Sequence, residues 1–326
     1  MTLGELYRRA VAIGIENDLR GQAEIARLLA EEKERYEKLD ETEKKNFDLD
    51  RLFNPFSDTR ILHGSAETPI KKALVGIDME VAELLLAYLL NRDRGEKIDC
   101  VIAHHPEGRA LARLAEVMKL QVDLLTQYGI AVSVVEQLME KRIAEVERRL
   151  LPVNHNRTVD VARLLGIPFL CLHTPADNCV TSFLKNKFEQ EKPLFLKDLL
   201  AILRSLPEYQ TAQRLESGPK ILNGSENSRC GQIYVDMTGG TEGSKEIFEK
   251  IASSGISTLV GMHFSEEHLE KAKKANLNVV VAGHIASDTL GLNLLLDAAD
   301  PEAELEFICV SGFERRRRAA DNREKP

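Results

Sequence analysis

The sequence predicts an α/β protein with two lobes, whose sheets are covered by helices and enclose a central cleft, with an extra helical segment at the N-terminus. From about residue 70 onward, short apolar segments alternate with amphipathic helical segments. This alternation is typical of mostly parallel sheets with helices on both faces. A chain of 326 residues, 43% of them hydrophobic, is also long enough for its core to divide in two.

The N-terminal part precedes this alternation. Apolar side chains at helical spacing, including Leu3, Leu6 and Ala10, predict a helix, and Asn54 and Pro55 indicate a later loop. A second stretch rich in Pro, Gly, Ser and Asn marks a boundary further along the chain. We therefore expect a helical extension and linker, a first lobe, a second lobe and a basic tail, at residues 1–65, 66–204, 205–312 and 313–326.

The individual elements follow from apolar runs and helical periodicity. Strands are predicted at residues 72–76, 98–103, 131–135, 168–172, 232–236, 258–261, 277–282 and 305–310. Helices are predicted at residues 79–91, 108–128, 135–151, 159–165, 243–253, 265–275 and 288–298.

Composition excludes several classes of protein. The net charge of −8 and the pI of about 5.6 lack the basic footprint of a nucleic-acid or anionic-membrane binder. The five cysteines form no CxxC pair, so neither a disulfide framework nor a thiolate zinc cluster is indicated. The start of the chain has no signal-peptide pattern, and no apolar run approaches the ~20 residues that span a bilayer. These features predict a cytoplasmic protein.

Four consecutive arginines, at residues 315–318, are a local exception to the acidic balance. A run of this kind is either a solvated tail or a segment that docks on an acidic partner or a neighbouring subunit. The sequence leaves both readings open.

Histidines and aspartates follow three of the predicted strands. His104 and His105 come directly after strand 98–103, Asp177 comes shortly after strand 168–172, and His284 and Asp288 follow strand 277–282. Because ligands of open α/β sheets bind beyond the carboxyl ends of the strands, these three turns can converge. His284 and Asp288 are also spaced i, i+4, which places them on one face of a helix.

These residue types suit a pair of metal ions. Adjacent histidines point to different sides of the backbone, so each can serve a different ion, and carboxylates can bridge ions about 3.5–4 Å apart. Histidine and carboxylate ligands without thiolate suit Zn²⁺, Mn²⁺, Fe²⁺ or Co²⁺. Each motif alone also has a structural reading as core histidines, a turn or a helix cap. Their joint placement after three strands favours a two-metal site in the cleft.

The ordered motifs resemble those of the Nif-three family, whose members are described as GTP cyclohydrolase I type 2 homologues. The resemblance covers roughly residues 70–310 and does not include the first 65. Its motifs are Ile-Ala-His-His-Pro at residues 102–106, His-Thr-Pro-Ala-Asp at residues 173–177 and Ala-Gly-His-Ile-Ala-Ser-Asp at residues 282–288.

The resemblance implies a two-lobed α/β protein with a di-metal site, assembled as a toroidal homohexamer. By position, His104 and His105 would each bind one metal, Asp177 would bind on the His105 side and His284 on the His104 side. Asp288 would bridge both ions, although the family has Glu at this position. Glu107 is a second departure, because an apolar residue usually follows the proline. It is either a general base or an anion in the first turn of a helix.

Several neighbours carry two readings each. His173 is a supporting or supplementary ligand, or a core histidine. Asp78 is most simply the N-cap of the next helix, and His263 contacts substrate or is structural. The glycine-rich segment 239–243 either cradles a phosphate with its backbone N–H groups or is a tight connection. Three further histidines lie in polar contexts and carry no signal: His63, His155 and His268.

Three functions remain open from the sequence. The first is a metal-dependent hydrolase acting on a nucleotide-like or phosphate-bearing small molecule, with GTP cyclohydrolase-type chemistry implied by the resemblance only. The second is a non-catalytic metal-binding scaffold or regulatory protein that recruits a protein partner through residues 1–65 or the basic tail. In the third, the histidines are purely structural. No catalytic residue beyond the metal ligands can be assigned from the sequence.

Overall fold

The computed structural model of the chain describes residues 1–318. Within these residues the strands form two sheets, of five and four strands, and helices cover both. None of the helices in this part of the chain combines the length and apolar character needed to cross a membrane. The mixed α/β architecture with helix-covered sheets confirms the predicted fold class.

The first sheet has the order β1-β4-β3-β2-β9, and the second the order β5-β8-β7-β6. Pairing is parallel throughout except at β1 and β5, which pair antiparallel at one edge of each sheet. The strands are β1 (Arg60–His63), β2 (Lys72–Gly76), β3 (Cys100–Ala103), β4 (Phe169–Cys171), β5 (Lys220–Asn223), β6 (Gln232–Asp236), β7 (Ile256–Gly261), β8 (Asn278–Val281) and β9 (Glu306–Cys309).

The helices connect these strands and cover their faces. They are α1 (Leu3–Glu16), α2 (Gln22–Glu37), α3 (Glu41–Asn46), α4 (Val81–Leu89), α5 (Gly108–Ala112), α6 (Leu114–Val117), α7 (Lys119–Gln127), α8 (Val132–Leu150), α9 (Asn156–Leu165), α10 (Thr174–Glu191), α11 (Leu196–Arg204), α12 (Pro207–Arg214), α13 (Phe248–Ser253), α14 (Glu266–Lys274) and α15 (His284–Ala299).

Helices α10 and α15 lie side by side between the two sheets. Ala176 and Leu292 pack with the first sheet, whereas Val180 and Leu290 pack with the second. The two helices approach so closely that a Cβ atom on Gly291 would overlap the carbonyl oxygen of Ala176. A glycine is therefore required where these helices touch, and this contact lies one turn away from their functional side chains.

The N-terminal segment is part of the core and not a detached extension. Leu3, Leu6 and Ala10 of α1 are fully buried against the first sheet, and β1 pairs with β4. In contrast, Ile25 is the only buried side chain in α2, and α3 has none.

The last predicted strand, β9, likewise joins the first sheet beside β2, although its sequence position falls in the predicted second lobe. The domain boundaries themselves stay a prediction.

The arginines of the tail contact the chain's own acidic side chains. Arg318 donates to both carboxylate oxygens of Glu208 at 2.9 Å, and Arg315 pairs with Asp297 on α15. The backbone N–H of Arg316 donates to Asn293 at 2.9 Å. Residues 315–318 therefore differ from both readings that the sequence left open, because buried acidic groups on the chain's own α12 and α15 offer partners to Arg315 and Arg318. Residues 319–326 of the predicted tail lie outside the described part.

Some predicted elements differ from the structure. Residues 131–135, predicted as a strand from their β-branched side chains, begin helix α8, whose buried Val135 and Met139 lie one turn apart. The single helix predicted at 108–128 is three short helices. The helix predicted from residue 243 begins only at Phe248. Strands β1 and β5 and helices α10 to α12 were not predicted.

Candidate metal site

The three predicted motifs meet in the cleft between the sheets. His104 and His105 follow β3, Asp177 lies in the first turn of α10, and His284 and Asp288 lie in the first two turns of α15. The structure thus brings all five predicted residues together. Groups of these side chains, with His173, hold their ligand atoms within 4.8 Å of one another, which is the arrangement a metal ion needs.

Hydrogen bonds orient the imidazoles of His104, His105 and His173. In each ring Nδ1 meets an oxygen, namely the carbonyl of Leu172 at 3.1 Å, the carboxylate of Asp78 at 2.7 Å and the carboxylate of Asp58 at 2.7 Å, respectively. These oxygens can only accept, so Nδ1 carries the proton and Nε2 keeps its lone pair. Such outer partners are typical of metal-binding histidines, since they fix the tautomer and the ring orientation.

The lone pairs face carboxylate oxygens that lack hydrogen-bond partners. Among residues 1–318, Nε2 of His104, Oδ1 of Asp177 and both carboxylate oxygens of Asp288 are buried without a hydrogen bond. A lone pair that faces carboxylate oxygens is repelled unless a cation lies between them. Because buried polar atoms without partners are costly, these atoms fit a metal ion well.

The distances agree with metal coordination. Nε2 of His104 lies 3.5 Å from both Asp177 Oδ1 and Asp288 Oδ1. The other oxygen of Asp288, Oδ2, lies 3.4 Å from Nε2 of His105 and 3.5 Å from Nε2 of His284. Ligands about 2.1 Å from one ion in tetrahedral geometry are about 3.4 Å apart. The residues present therefore fit an ion on each side of Asp288.

The grouping of ligands differs from the one that the resemblance implied. Asp177 lies on the His104 side and His284 on the His105 side, so the predicted pairing of these two residues is wrong. The reason is the position of the helices: α10 follows β4, whose end lies beside the buried His104, whereas α15 presents His284 from the open side of the cleft. The rings of His105 and His284 are 5.2 Å apart.

Electrostatics in the cluster are strongly perturbed. Burial alone would raise the pKa of Asp288, but the neighbouring imidazoles, His104 first, hold the pKa of this carboxyl far below its ordinary value. Burial raises the pKa of Asp177 well above its ordinary value and lowers that of His284 to about 4. Burial opposes protonation of His105 too, yet Asp288 and Asp78 raise its pKa to about 9. Without a metal ion, Asp288 is therefore a buried anion whose charge favours the protonated form of His105, and a bound cation would displace that proton.

Two supporting carboxylates were not assigned this role from the sequence. Asp78 was predicted as a helix N-cap, but the N-cap of α4 is Glu80 and Asp78 accepts from His105 instead. Asp58 is fully buried and accepts from His173 and from the Thr174 hydroxyl, the latter at 2.6 Å. Asp78 carried a usable signal, since it lies just beyond the end of β2 at the same sheet edge. Asp58 carried none, because it precedes β1 in a loop.

The opposite wall of the cleft belongs to the second sheet. A cavity of about 70 Å³ extends from the Asp177 and Asp288 carboxylates to Asp236, His263 and a loop at residues 237–242. Burial raises the pKa of Asp236, the last residue of β6, to about 6. Burial opposes ionisation of Glu242 as well, but a hydrogen bond from His263 and the Ser265 N–H lower its pKa to about 2. Asp236 and Glu242 were missed, although Asp236 ends a correctly predicted strand.

The remaining candidates lie elsewhere. Glu107 is the N-cap residue of α5 but its side chain makes no capping hydrogen bond, and burial raises its pKa; it does not line the cavity. His268 is buried behind the cleft wall, where its Nε2 lies 3.0 Å from the Gly243 carbonyl. The N-cap of α9 is His155, and His63 ends β1. None of these four contributes a ligand atom to the groups described above.

Comparison with one solved structure supports the fold and the resemblance. A structure of a NIF3 superfamily protein from Sphaerobacter thermophilus is 28% identical in sequence, with a TM-score of 0.67, and the alignment covers 79% of this chain and 92% of that one. Reduced HcgD from Methanocaldococcus jannaschii is 14% identical, with a TM-score of 0.49 and coverage of 77% and 87%. The protein ybgI, of unknown function, is 15% identical, with a TM-score of 0.48 and coverage of 80% and 92%. No protein-family model and no curated protein matches the chain.

Proposed function

We propose, from the premise that this chain belongs to the NIF3 superfamily, that its cleft binds two divalent transition-metal ions. We propose further that they serve the hydrolysis of a nucleotide-like or phosphate-bearing small molecule. In the proposed site, His104 and Asp177 would hold one ion, His105 and His284 would hold the other, and Asp288 would be a ligand of both. Zn²⁺, Mn²⁺, Fe²⁺ and Co²⁺ all suit this donor set.

The observation that supports two ions is the position of Asp288. Each of its carboxylate oxygens faces a different set of imidazole nitrogens, at 3.4–3.5 Å. A single ion at one of these sets would leave the imidazole nitrogens of the other set facing a carboxylate oxygen with no cation between them. Although Asp is shorter than the Glu typical of the family, α15 starts close enough to β3 for this side chain to reach both histidines.

The chemistry follows from these ligands and from the opposite wall. Paired divalent ions, when bound, lower the pKa of water in the cleft from about 15.7 toward 7 and polarise a substrate oxygen. Asp236, with its pKa raised to about 6 by burial, can accept or release a proton near neutral pH. His263 lies at the same wall, and its hydrogen bond to Glu242 raises its pKa. Asp236 and His263 are the proposed proton-transfer groups. The ring centre of His263 lies 4.8 Å from that of His284, so these groups are close to one of the proposed metal ligands.

Metal analysis of the anaerobically purified chain tests the site. We expect two ions per chain in the wild type, about one in His284→Ala, and loss of both in Asp288→Ala because its carboxylate serves both ions. His63→Ala is the matched control, since this histidine lies on β1 outside the site. A wild-type chain that holds no metal, even after reconstitution with Zn²⁺, Mn²⁺ and Fe²⁺, would refute the proposal.

The hydrolase itself needs a separate measurement. The metal-loaded chain should release product from at least one member of a panel of nucleoside triphosphates, cyclic nucleotides and phosphomonoesters, and Asp236→Asn should slow that reaction with its metal content intact. A chain with two ions and no turnover on the panel would favour the non-catalytic alternative. That alternative keeps support from α2 and α3, whose charged and mostly exposed side chains offer a surface for a protein partner.

Assembly as a homohexamer is also proposed, from the family resemblance. Exposed apolar side chains on α4, including Leu85 and Leu89, are consistent with self-association. Light scattering during gel filtration would test it, with a mass of six 36.5 kDa chains expected. A monomeric mass for the metal-loaded chain would contradict the prediction.

A further inference from the structure

The loop after β6 has an unusual backbone in the cleft wall. Gly239 and Gly240 have φ angles of +102° and +86°, and the N–H of Thr241 donates to the Gly239 carbonyl at 3.1 Å. This is a tight three-residue turn centred on a residue with positive φ, which glycine alone adopts without strain. Side chains are excluded as well, since a Cβ atom on Gly240 would lie 2.9 Å from Val117.

Gln121 on α7 fixes the orientation of two peptide groups in this loop. Its Nε2 donates to the carbonyl of Gly239 at 2.8 Å and to the carbonyl of Thr241 at 2.7 Å. In a trans peptide the C=O and the following N–H point in opposite directions. The N–H groups of Gly240 and Glu242 must therefore point away from Gln121.

Away from Gln121 means into the cleft. Gly240, Thr241 and Glu242 line the metal-site cavity, whereas Gln121 does not line it and lies on the far side of the loop. Neither the Gly240 N–H nor the Glu242 N–H has a hydrogen-bond partner within residues 1–318. Two backbone donors without partners, on peptide groups that one amide side chain orients, can bind an anion.

The charge of the cavity suits an anion only when the metal ions are bound. The four carboxyl groups that line the cavity would repel an anion, but two divalent ions bring four positive charges that offset them: these groups are Asp177, Asp236, Glu242 and Asp288. The Glu242 carboxylate is turned to other partners, because it accepts from the Ser265 N–H at 2.6 Å and lies 3.5 Å from His263.

We propose that the N–H groups of Gly240 and Glu242, oriented by Gln121, bind an anionic oxygen group of the substrate, of the phosphate type, across the cleft from the metal ions. This inference rests on the proposed metal-dependent function and names the chemical class that the site accepts. Gln121 is a positioning residue, since it does not reach the ligand itself.

Nuclear magnetic resonance on the Zn²⁺-loaded full chain tests the assignment directly. Gly239-Gly240 is the only Gly-Gly step in the sequence. Labelling glycine at both its nitrogen and its carbonyl carbon therefore selects the Gly240 amide as a single signal in a carbonyl-correlated spectrum. Titration with inorganic phosphate should move this signal downfield in a saturable way. Phosphate binding to the metal-loaded chain that leaves the Gly240 signal in place would overturn the proposal.

Calorimetric titration of the same metal-loaded chain with inorganic phosphate measures the role of Gln121. Gln121→Met removes the donor to both loop carbonyls at similar volume. Because the Gly240 and Glu242 N–H groups then lose their fixed orientation, phosphate binding should weaken roughly tenfold, about the value of one hydrogen bond from an N–H group to a charged oxygen, with metal content unchanged. Gln127→Met is the matched control on the same helix, because its amide donates to the Leu19 carbonyl, away from the cleft loop. Equal affinity in a folded, fully metallated Gln121→Met variant would overturn the positioning role. Metal content reports separately on the proposed function: a wild type without metal refutes that function, whereas two ions and an unmoved Gly240 signal refute only the assignment of the loop.

Discussion

Gly291→Ala tests how the contact between α10 and α15 supports the metal site. The new Cβ atom would overlap the Ala176 carbonyl oxygen and lie 3.0 Å from its carbonyl carbon and 3.3 Å from Val180 Cγ1. Carbon atoms in favourable contact are about 3.5–4.0 Å apart, so the helices must separate by roughly half an ångström to one ångström. Ala176 directly precedes Asp177, and Gly291 is three residues after Asp288, so the separation is transmitted to both carboxylates.

Two opposing effects determine the free energy of unfolding of Gly291→Ala. In an open helix, Gly→Ala would stabilise by about 1 kcal/mol, whereas overpacking costs about 1–3 kcal/mol. We expect a net loss of up to about 2 kcal/mol in the free energy of unfolding of the metal-free chain, measured by urea denaturation. Metal affinity, measured by competition with a chromophoric chelator, should also fall.

Ala298→Gly provides the control on the same helix, because this side chain is exposed and its loss creates no overlap. It should lower stability by up to about 1 kcal/mol and leave metal affinity unchanged. If Gly291→Ala were instead as stable as the wild type or more so, with unaltered metal affinity, the close contact would not exist as described.

Three further changes probe other parts of the structure. Asp78→Ala removes the carboxylate that accepts from His105 Nδ1, and the Asp78 side chain is 58% exposed. Metal affinity should therefore drop about tenfold with little change in stability. An unchanged chelator competition curve would argue against this orienting role. Asp236→Asn should stabilise the chain in EDTA at pH 8 but not at pH 4. Burial raises the folded-state pKa of the Asp236 carboxyl to about 6, so the wild type loses stability as the pH rises from about 4 through 6. Equal urea midpoints of the wild type and Asp236→Asn at pH 8 would contradict this. Arg318→Ala leaves the fully buried Glu208 carboxylate without its ion pair and should cost about 3 kcal/mol in the free energy of unfolding. Arg27→Ala is the control at an exposed pair and should cost far less. Similar losses in the two variants would show that the Arg318 pair is not buried in solution.

The central parallel strands could be predicted because they are buried and therefore consist of uninterrupted apolar runs. Strands β2 and β6 have the predicted bounds, and β3, β4 and β8 lie within theirs. Strands β1 and β5 were missed since they are short, partly exposed and defined by antiparallel pairing with distant strands. Helix α10 was missed for another reason: its first turns bury Thr174, Asp177 and Asn178, so it has no amphipathic pattern.

The candidate metal site was likewise predictable from the sequence only in part. Its five candidate ligands could be found because each follows the carboxyl end of a parallel strand, namely β3 and β4 of the first sheet and β8 of the second. Their grouping could not, because it depends on which helix start faces which histidine across the cleft. Asn178 illustrates the limit: it donates to the Gly14 carbonyl on α1 and accepts from Thr238 in the cleft loop, and these partners are 164 and 60 residues away in sequence.

The position of β9 has a consequence for the synthesis of the chain. Strand β2 is central in the first sheet, but its neighbour β9 is made more than two hundred residues later. Until that strand leaves the ribosome, β2 is an exposed parallel edge with unpaired backbone groups, which is the kind of edge that pairs with other chains. A nascent chain stalled before residue 306 therefore carries an aggregation-prone edge even when its other strands have paired, and chaperone demand should be greatest in this interval.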